Sequence, residues 1–362
     1  MRVAIVMPPA TDLAPDDALD RWPTVVQQAA ALREHAGAEV MVACRSMVSS
    51  ADTRRAGVPY RFAVDDRRLV HGVREWRPDV VHVHGLGFTR LTIRLGRVLH
   101  SRAAIVLQHH GEMPSRRRTI LAHRFARRYV DGYLFTGAST GQAQQFVECG
   151  MLDERAPCHE VLEAASTLLS EAPPVVLAGS PSILWVGRLI ESKDPLNAIA
   201  AFALAAEAAM PEAHLHMLAT DRSLEHRVRV AIDTLGPLSE RIHLHEPVTP
   251  AAMAGWYSAA DVYFSTSWRE GSGYALVEAL TEGCAPVVTS IPSHLAIVGD
   301  LGPTFPPGDV IAAAGLLMGA PAMDRAFIRL DATRRLSWPA VAAQLVAAYS
   351  SVLVSGGVPR VL

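Results

Sequence analysis

The sequence predicts an α/β protein of two doubly wound, Rossmann-like domains facing a central cleft, and three observations predict it. The chain has 362 residues, enough for two domains at roughly 150 residues each. Short β-branched runs alternate with longer helical patterns throughout, the grammar of βαβ units and a parallel sheet. One stretch, 168–182, breaks that grammar with Pro, Ala, Ser and Gly and reads as a linker.

In the first half, strands are expected at Val3–Met7, Glu39–Ala43, Asp79–His84, Ala104–Gln108 and Tyr133–Thr136. In the second they are expected at Ile183–Val186, His214–Leu218, Ile242–His245, Val262–Ser265 and Pro286–Thr289. The first domain is then 1–167 and the second 183–337. Doubly wound sheets bind ligands beyond the carboxyl ends of their strands, so the strand-to-helix junctions are where chemistry is sought.

Composition removes several classes of function. Half the residues are hydrophobic and 19% are charged, outside the disordered range. The 34 basic residues balance 36 acidic ones, which leaves no general electrostatic footprint for nucleic acid. The longest weakly polar stretch, Ile311 to Met323, is thirteen residues, short of the ~18 a bilayer span needs, so no transmembrane helix is expected. Cys44, Cys149, Cys158 and Cys284 form no CxxC pair. The N-terminus runs from an apolar stretch into an acidic segment rather than a signal peptide, and free thiols in a cytoplasmic protein are expected. No GxGxxG follows Val3–Met7 and no Walker A sequence is present, which disfavours dinucleotide-dependent dehydrogenases and P-loop enzymes.

Lys193 is the only lysine in the chain. With arginine the default cation everywhere else, Lys193 marks a place where a compact ammonium does what a planar guanidinium does not. It lies in the loop between Ile183–Val186, which ends in Gly187-Arg188, and a helix opening at Asp194-Pro195, with Asp as N-cap and Pro at the first helical position. Arg188 and Lys193 can take opposite sides of a pyrophosphate, with the helix N-terminus adding its partial charge.

A second junction reads Ser267-Trp268-Arg269-Glu270-Gly271-Ser272-Gly273-Tyr274, followed by a helix carrying Glu278. Gly271 and Gly273 let the backbone approach a ligand closely, and the helix presents free N–H groups to an anion. Glu270 and Glu278, eight residues apart, reach one cleft if the loop curls back. As hydroxyl acceptors they suit a ligand with a polyol on each side of a diphosphate. The competing structural reading makes both ordinary helix-end acids.

These residues carry a family resemblance. Gly187-Arg188 with Lys193, Glu270-Gly271-x-Gly273 with Glu278, and Glu282-Gly283-Cys284-Ala285-Pro286-Val287-Val288 resemble the C-terminal domain of retaining nucleotide-sugar glycosyltransferases of the GT-B fold, family GT4. Asp79-Val80-Val81-His82-Val83-His84 and His109-His110-Gly111 are similar to its N-terminal domain, and Leu336-Ser337-Trp338 with Tyr349 to its closing helix, 338–362, which crosses back onto the first domain. The resemblance implies a nucleoside diphosphate sugar as donor, a hydroxyl acceptor held by the first domain, and retention of configuration. It implies that Arg188 and Lys193 bind the diphosphate and Glu278 the ribose. Glu270 would hold the sugar hydroxyls, and His110 would lie beside the sugar. Gly187, Gly271, Ser272 and Gly273 would line the donor, while His84, His109, Glu112 and Arg116 are candidates for the acceptor side. Neither cofactor nor metal is expected, because Arg, Lys and helix N-termini neutralise the leaving diphosphate.

Three departures from the family pattern stand out. The first loop, Pro8-Pro9-Ala10-Thr11-Asp12, lacks the usual glycines, Ala219-Thr220-Asp221-Arg222 replaces a glycine-containing turn, and Glu163-Ala164-Ala165-Ser166 stands where asparagine-glycine is usual. Two rivals stay open: a nucleotide-sugar 2-epimerase of the same fold, against which the Glu270/Glu278 spacing with this loop argues, and a non-catalytic donor-binding subunit, suggested by the altered first loop.

Two further patterns invite other functions. His82/His84, His214/His216 and His243/His245 are H-x-H pairs, each on one face of a strand. Zinc is the sharper reading and packing the better one, since no Cys or carboxylate cluster completes a tetrahedral set. Arg116 to Tyr129 forms a basic amphipathic helix, a candidate for peripheral contact with an anionic membrane or for an ordinary surface helix.

Overall fold

The computed structural model describes the chain except residues 11, 49, 100, 112–116, 167–174 and 356–362. The chain forms two compact units, Met1–Leu162 together with the segment from Trp338, and Glu163–Ser337.

The first unit begins β1 (Arg2–Val6), α1 (Pro15–Arg21), α2 (Pro23–Ala36), β2 (Glu39–Arg45), β3 (Ala51–Arg55), β4 (Val58–Ala63), α3 (Asp66–Trp76), β5 (Val80–His84), α4 (Thr89–Leu99) and β6 (Ala104–Gln108). It continues with α5 (Arg117–Ala126), β7 (Gly132–Phe135), α6 (Gln144–Glu148) and β8 (Cys158–Glu160). The eight strands run in the order β3-β4-β2-β1-β5-β6-β7-β8, parallel except for the antiparallel β3–β4 pair. β1, β5 and β6 lie mid-sheet with helices on both faces, which is why their sequences are nearly unbroken apolar runs.

Local chemistry sets the helix ends. Asp65 caps α3 by accepting from the N–H groups of Arg67 and Arg68 at 2.8 and 2.9 Å. Pro23 opens α2, and Gly37, at φ +61°, closes it.

The second unit contains β9 (Ser182–Gly187), α7 (Pro195–Ala208), β10 (His214–Ala219), α8 (Glu225–Asp233), β11 (Ile242–His245), α9 (Met253–Ala259), β12 (Val262–Ser265) and α10 (Tyr274–Thr281). It ends with β13 (Ala285–Val288), α11 (Pro292–Val298), α12 (Val310–Gly319) and α13 (Arg325–Leu336). Its all-parallel sheet is ordered β11-β10-β9-β12-β13. The chain then returns to the first unit as α14 (Trp338–Ser355), which packs along α2.

All ten expected strands are present, with ends shifted by at most two residues. Three more escape the sequence reading. β3 is a charged edge strand, ADTRR, joined to β4 by Ala56-Gly57, both at positive φ, and edge strands carry charge because their outer side faces water. β8 has only three residues.

The domain boundary also differs. Glu163–Ser166, expected in the first domain, belong to the second unit, where Ala165 N–H donates to Leu336 O. Of the expected linker, 168–174 lies outside the described residues. Val175 donates to Gly255 O and Ser182 opens β9, so both lie with the second unit.

The expectation of no membrane-length helix is corrected by the run Arg325–Ser355, which is long and apolar enough to pass that test. Here it is two helices, α13 and α14. Val341, Ala342, Leu345, Ala348, Tyr349 and Val352 of α14 are buried, which accounts for its apolarity.

Candidate functional site

In the second unit the loops after β9, β10 and β12 are sewn together. β9 ends at Gly187, where a Cβ would lie 2.9 Å from the Trp185 ring. Leu189 N–H donates to Asp221 O (2.6 Å) and Thr220 N–H to Gly187 O (3.3 Å), joining the first two loops. Trp268 N–H donates to Ser192 O (2.9 Å), and the Thr266 hydroxyl lies 3.0 and 2.8 Å from the carbonyls of Lys193 and Asp194, joining the first and third.

Asp194 occupies the N-cap position of α7, yet its backbone is left-handed (φ +51°) and its side chain makes no cap bond. Its carboxylate instead accepts from Asn197 Nδ2 (2.8 Å) and Trp268 Nε1 (2.9 Å). The expected cap is thus a tie between loops, because the left-handed backbone turns the side chain away from the helix amides.

Lys193 and Glu270 meet. The ammonium donates to the Glu270 carboxylate, with the two side chains only 16% and 18% exposed. The same carboxylate accepts from Ser267 Oγ (2.8 Å), which lies 3.2 Å from Ser265 Oγ. Burial works to raise the Glu270 carboxyl, but Lys193, His294 and the Ser267 bond outweigh it and hold it below the usual range. His294, buried beside them on α11, has its Nδ1 3.1 Å from Thr289 O. Burial pushes it down to about 4, so it is a neutral imidazole at neutral pH. The sequence reading missed it, since a single histidine on an apolar helix carries no pattern.

Arg188 is exposed at the end of β9, and its charge helps to lower the Asp221 carboxyl, after the two Ser223 hydrogen bonds that dominate that shift. Gly271 and Ser272 are buried, and Gly273 is the N-cap of α10 at φ +66°. A Cβ on Gly273 would lie 2.5 Å from Ile297 Cδ1, so both conformation and space require glycine there. Glu278, one turn into α10, is mostly buried. Desolvation raises its carboxyl to about 7 against the lowering effect of the Tyr257 hydroxyl. Both Glu270 and Glu278 act on the Tyr263 phenol, which burial and these two charges raise. Both carboxylates thus lie within electrostatic reach of Tyr263.

Glu163 joins this loop. It is 3% exposed and accepts from Ser272 Oγ and Tyr274 OH, both at 2.9 Å. Its only signal in the sequence was its place in a departure from the family pattern.

In the first unit, His84 Nδ1 lies 2.8 Å from His110 Nε2 with the rings parallel, 4.8 Å apart. His84 also stacks on His82, whose Nδ1 is 2.7 Å from Tyr349 OH on α14. Burial, then its histidine neighbours, lowers His84 well below the ordinary range. His84, at 3% exposed, supports His110 from beneath rather than lining an open surface, whereas His110 is partly exposed. His109 is likewise buried between Phe135 and Phe146, which corrects its place on an acceptor surface: its ring points into the core side of β6. Glu112 and Arg116 lie outside the described residues.

The histidines of the other two H-x-H pairs bond to one another. His214 Nδ1 is 2.8 Å from His243 Nε2, and His216 Nδ1 is 3.0 Å from His245 Nε2. Among the described residues no cluster of three or more His, Cys, Asp or Glu could hold a metal ion.

Comparison with known proteins adds to this geometry. Residues 180–318 match the family described as Glycosyl transferases group 1. A phosphatidyl-myo-inositol mannosyltransferase of Mycobacterium leprae (strain TN) is 29% identical over 202 residues. That match covers 52% of each protein, so the chain spans about half the length of this curated relative. Among solved structures, a sucrose-phosphate synthase from Thermosynechococcus elongatus superposes with a TM-score of 0.69 at 15% identity, covering 98% of this chain and 100% of that one. An α,α-trehalose-phosphate synthase (UDP-forming) from Burkholderia vietnamiensis gives 0.68 at 14%, covering 98% and 99%. Anabaena HepE, in complex with UDP and glucose, gives 0.65 at 14%, covering 96% and 99%. At such identities these structures show the fold alone. The two parallel-sheet units thus share the fold of these structures, and the group 1 match spans the stitched loops of the second unit.

Proposed function

We propose that the protein transfers a glycosyl group, of the hexosyl class, from a nucleoside diphosphate sugar to a hydroxyl acceptor, with retention of configuration and without a divalent metal. The observation that carries this reading is the partly buried Lys193–Glu270 pair, set among three stitched strand-end loops within the group 1 segment. An arriving diphosphate takes the ammonium of Lys193 on one side and the guanidinium of Arg188 on the other. Glu270, relieved of its counter-charge, then accepts from the hydroxyls of the sugar. The N-terminus of α10, entered through Gly271–Gly273, supplies further positive potential, and Glu278 receives the ribose. With the leaving diphosphate so neutralised, it serves as base for the incoming hydroxyl in a front-face displacement, and no protein base is required. In the first unit His110, oriented by His84, is the residue that the family resemblance assigns to the sugar.

We extend the reading to a cytoplasmic protein with peripheral membrane contact. On α5, Ile120 packs toward the core while Leu121 and Phe125 are 57% and 55% exposed among Arg117, Arg118, Arg124 and Arg128, a face suited to an anionic bilayer.

The test is a thermal-shift screen of UDP- and GDP-sugars, followed by turnover with and without hydroxyl acceptors. A ligand at 100 times its Kd stabilises by about 2.7 kcal/mol. Transfer to an acceptor with retained configuration is expected. Conversion of donor to an isomer without acceptor would instead establish the epimerase, and donor binding without turnover the binding subunit. Co-flotation with phosphatidylglycerol vesicles, lost in Leu121→Ser/Phe125→Ser, checks the membrane contact.

A further inference from the structure

We propose that Glu163 is a positioning residue for the glycine loop, clamping Ser272 and Tyr274 on either side of Gly273 so that the backbone N–H groups opening α10 are fixed toward the diphosphate. What the loop holds rests on the glycosyl-transfer reading; the clamp itself does not.

The geometry is specific. Each carboxylate oxygen of Glu163 takes a different hydroxyl, Oε1 from Ser272 and Oε2 from Tyr274, both at 2.9 Å. Between those residues Gly273 sits in a left-handed conformation; its carbonyl accepts from the Leu276 and Val277 amides, but glycine itself has wide backbone freedom. Two bonds from one buried carboxylate, at 3% exposure, remove that freedom where it matters. Glu163 is also the first residue of its unit, so the clamp is set where the chain enters it.

A consequence follows for Ser272. Its hydroxyl donates to Glu163, so the donors this loop turns to a phosphate are its backbone amides, and Ser272 contributes through the clamp rather than by its own hydroxyl.

The substitutions separate geometry from charge. A glutamine at 163 can still bridge the two hydroxyls, accepting from one and donating to the other, whereas alanine can do neither. Amide hydrogen exchange on the full-length protein is measured for residues 271–276, with β1 and β9 in the same data reporting overall folding. Glu163→Ala is expected to speed exchange at the loop about tenfold or more and leave the strands unchanged, while Glu163→Gln stays near wild type. Affinities for UDP, GDP and inorganic pyrophosphate follow the same order, with about a tenfold loss in Glu163→Ala and recovery in Glu163→Gln. Adding Ser272→Ala or Tyr274→Phe to Glu163→Ala causes little further loss, because the clamp is already gone. Loop exchange in Glu163→Ala equal to wild type overturns the proposal, as does a Glu163→Gln variant as impaired as Glu163→Ala. If the wild type binds none of the three probes, the glycosyl-transfer reading fails, and the exchange data still decide the clamp.

Discussion

The ammonium of Lys193 is bonded to the carboxylate of Glu270, so two side chains expected to serve different parts of a donor neutralise one another.

Removing one partner strands the other. Lys193→Ala leaves a mostly buried carboxylate uncompensated and is expected to destabilise the protein by about 3 kcal/mol, while Lys193→Met with Glu270→Gln recovers most of that loss. Urea unfolding of the single and double variants checks it. A Lys193→Ala cost within 0–1 kcal/mol, the range of exposed pairs, would mean that the pair is solvated.

Transition-state stabilisation gives a separate signature. Arg188→Ala and Lys193→Ala should each cost about 2.7 to 4 kcal/mol in kcat/KM, by analogy with lost oxyanion donors. Lys193→Arg should remain poor, since a planar fork does not replace a point charge. Wild-type turnover in Lys193→Arg would remove the case built on the lone lysine.

The two glutamates should fail differently. Ribose does not change as the glycosidic bond breaks, so Glu278→Gln is expected chiefly to raise donor KM. Glu270 is assigned to hydroxyls beside a carbon gaining positive charge, so Glu270→Gln should lower kcat while nucleoside diphosphate still binds. Steady-state kinetics on both variants decide it, and full kcat in a folded Glu270→Gln protein contradicts the sugar assignment.

Glu278 also predicts a pH dependence. Burial raises its carboxyl from 4.5 to about 7, so the folded protein keeps a proton that the unfolded chain has released. Its contribution to stability is therefore complete below pH 4.5 and lost as pH rises through 7. Relative to Glu278→Gln, the wild type should lose about 3 kcal/mol of unfolding free energy across that window. Donor affinity should rise over the same range in the wild type, as the carboxylate forms, and stay flat in Glu278→Gln. Parallel stability curves would show that Glu278 ionises normally.

Metal independence is testable directly. The cations Arg188 and Lys193 are assigned the diphosphate charge, so activity is expected to survive excess EDTA. Loss restored by Mg²⁺ or Mn²⁺ would assign that charge to a metal instead.

The sequence by itself determined the α/β class, ten of the thirteen strands found among the described residues, and the junctions after β9 and β12 at which Arg188, Lys193, Glu270 and the glycine loop stand. These are local signals: a strand's apolar run, a proline opening a helix and a glycine pair at a helix start are each read within a few residues. Only the tertiary structure decided who bonds to whom. Lys193 meets Glu270 across 77 residues and Ser272 meets Glu163 across 109, and Asp194 turns from cap to tie because Trp268 arrives beside it. Those contacts follow from β9 lying next to β12 in the sheet and from the segment 163–166 joining the second unit. His84 likewise supports His110 because β5 lies beside β6. Strand order and register bring distant residues together, and local periodicity encodes neither; it records which face of an element is apolar, not which neighbour that face will meet.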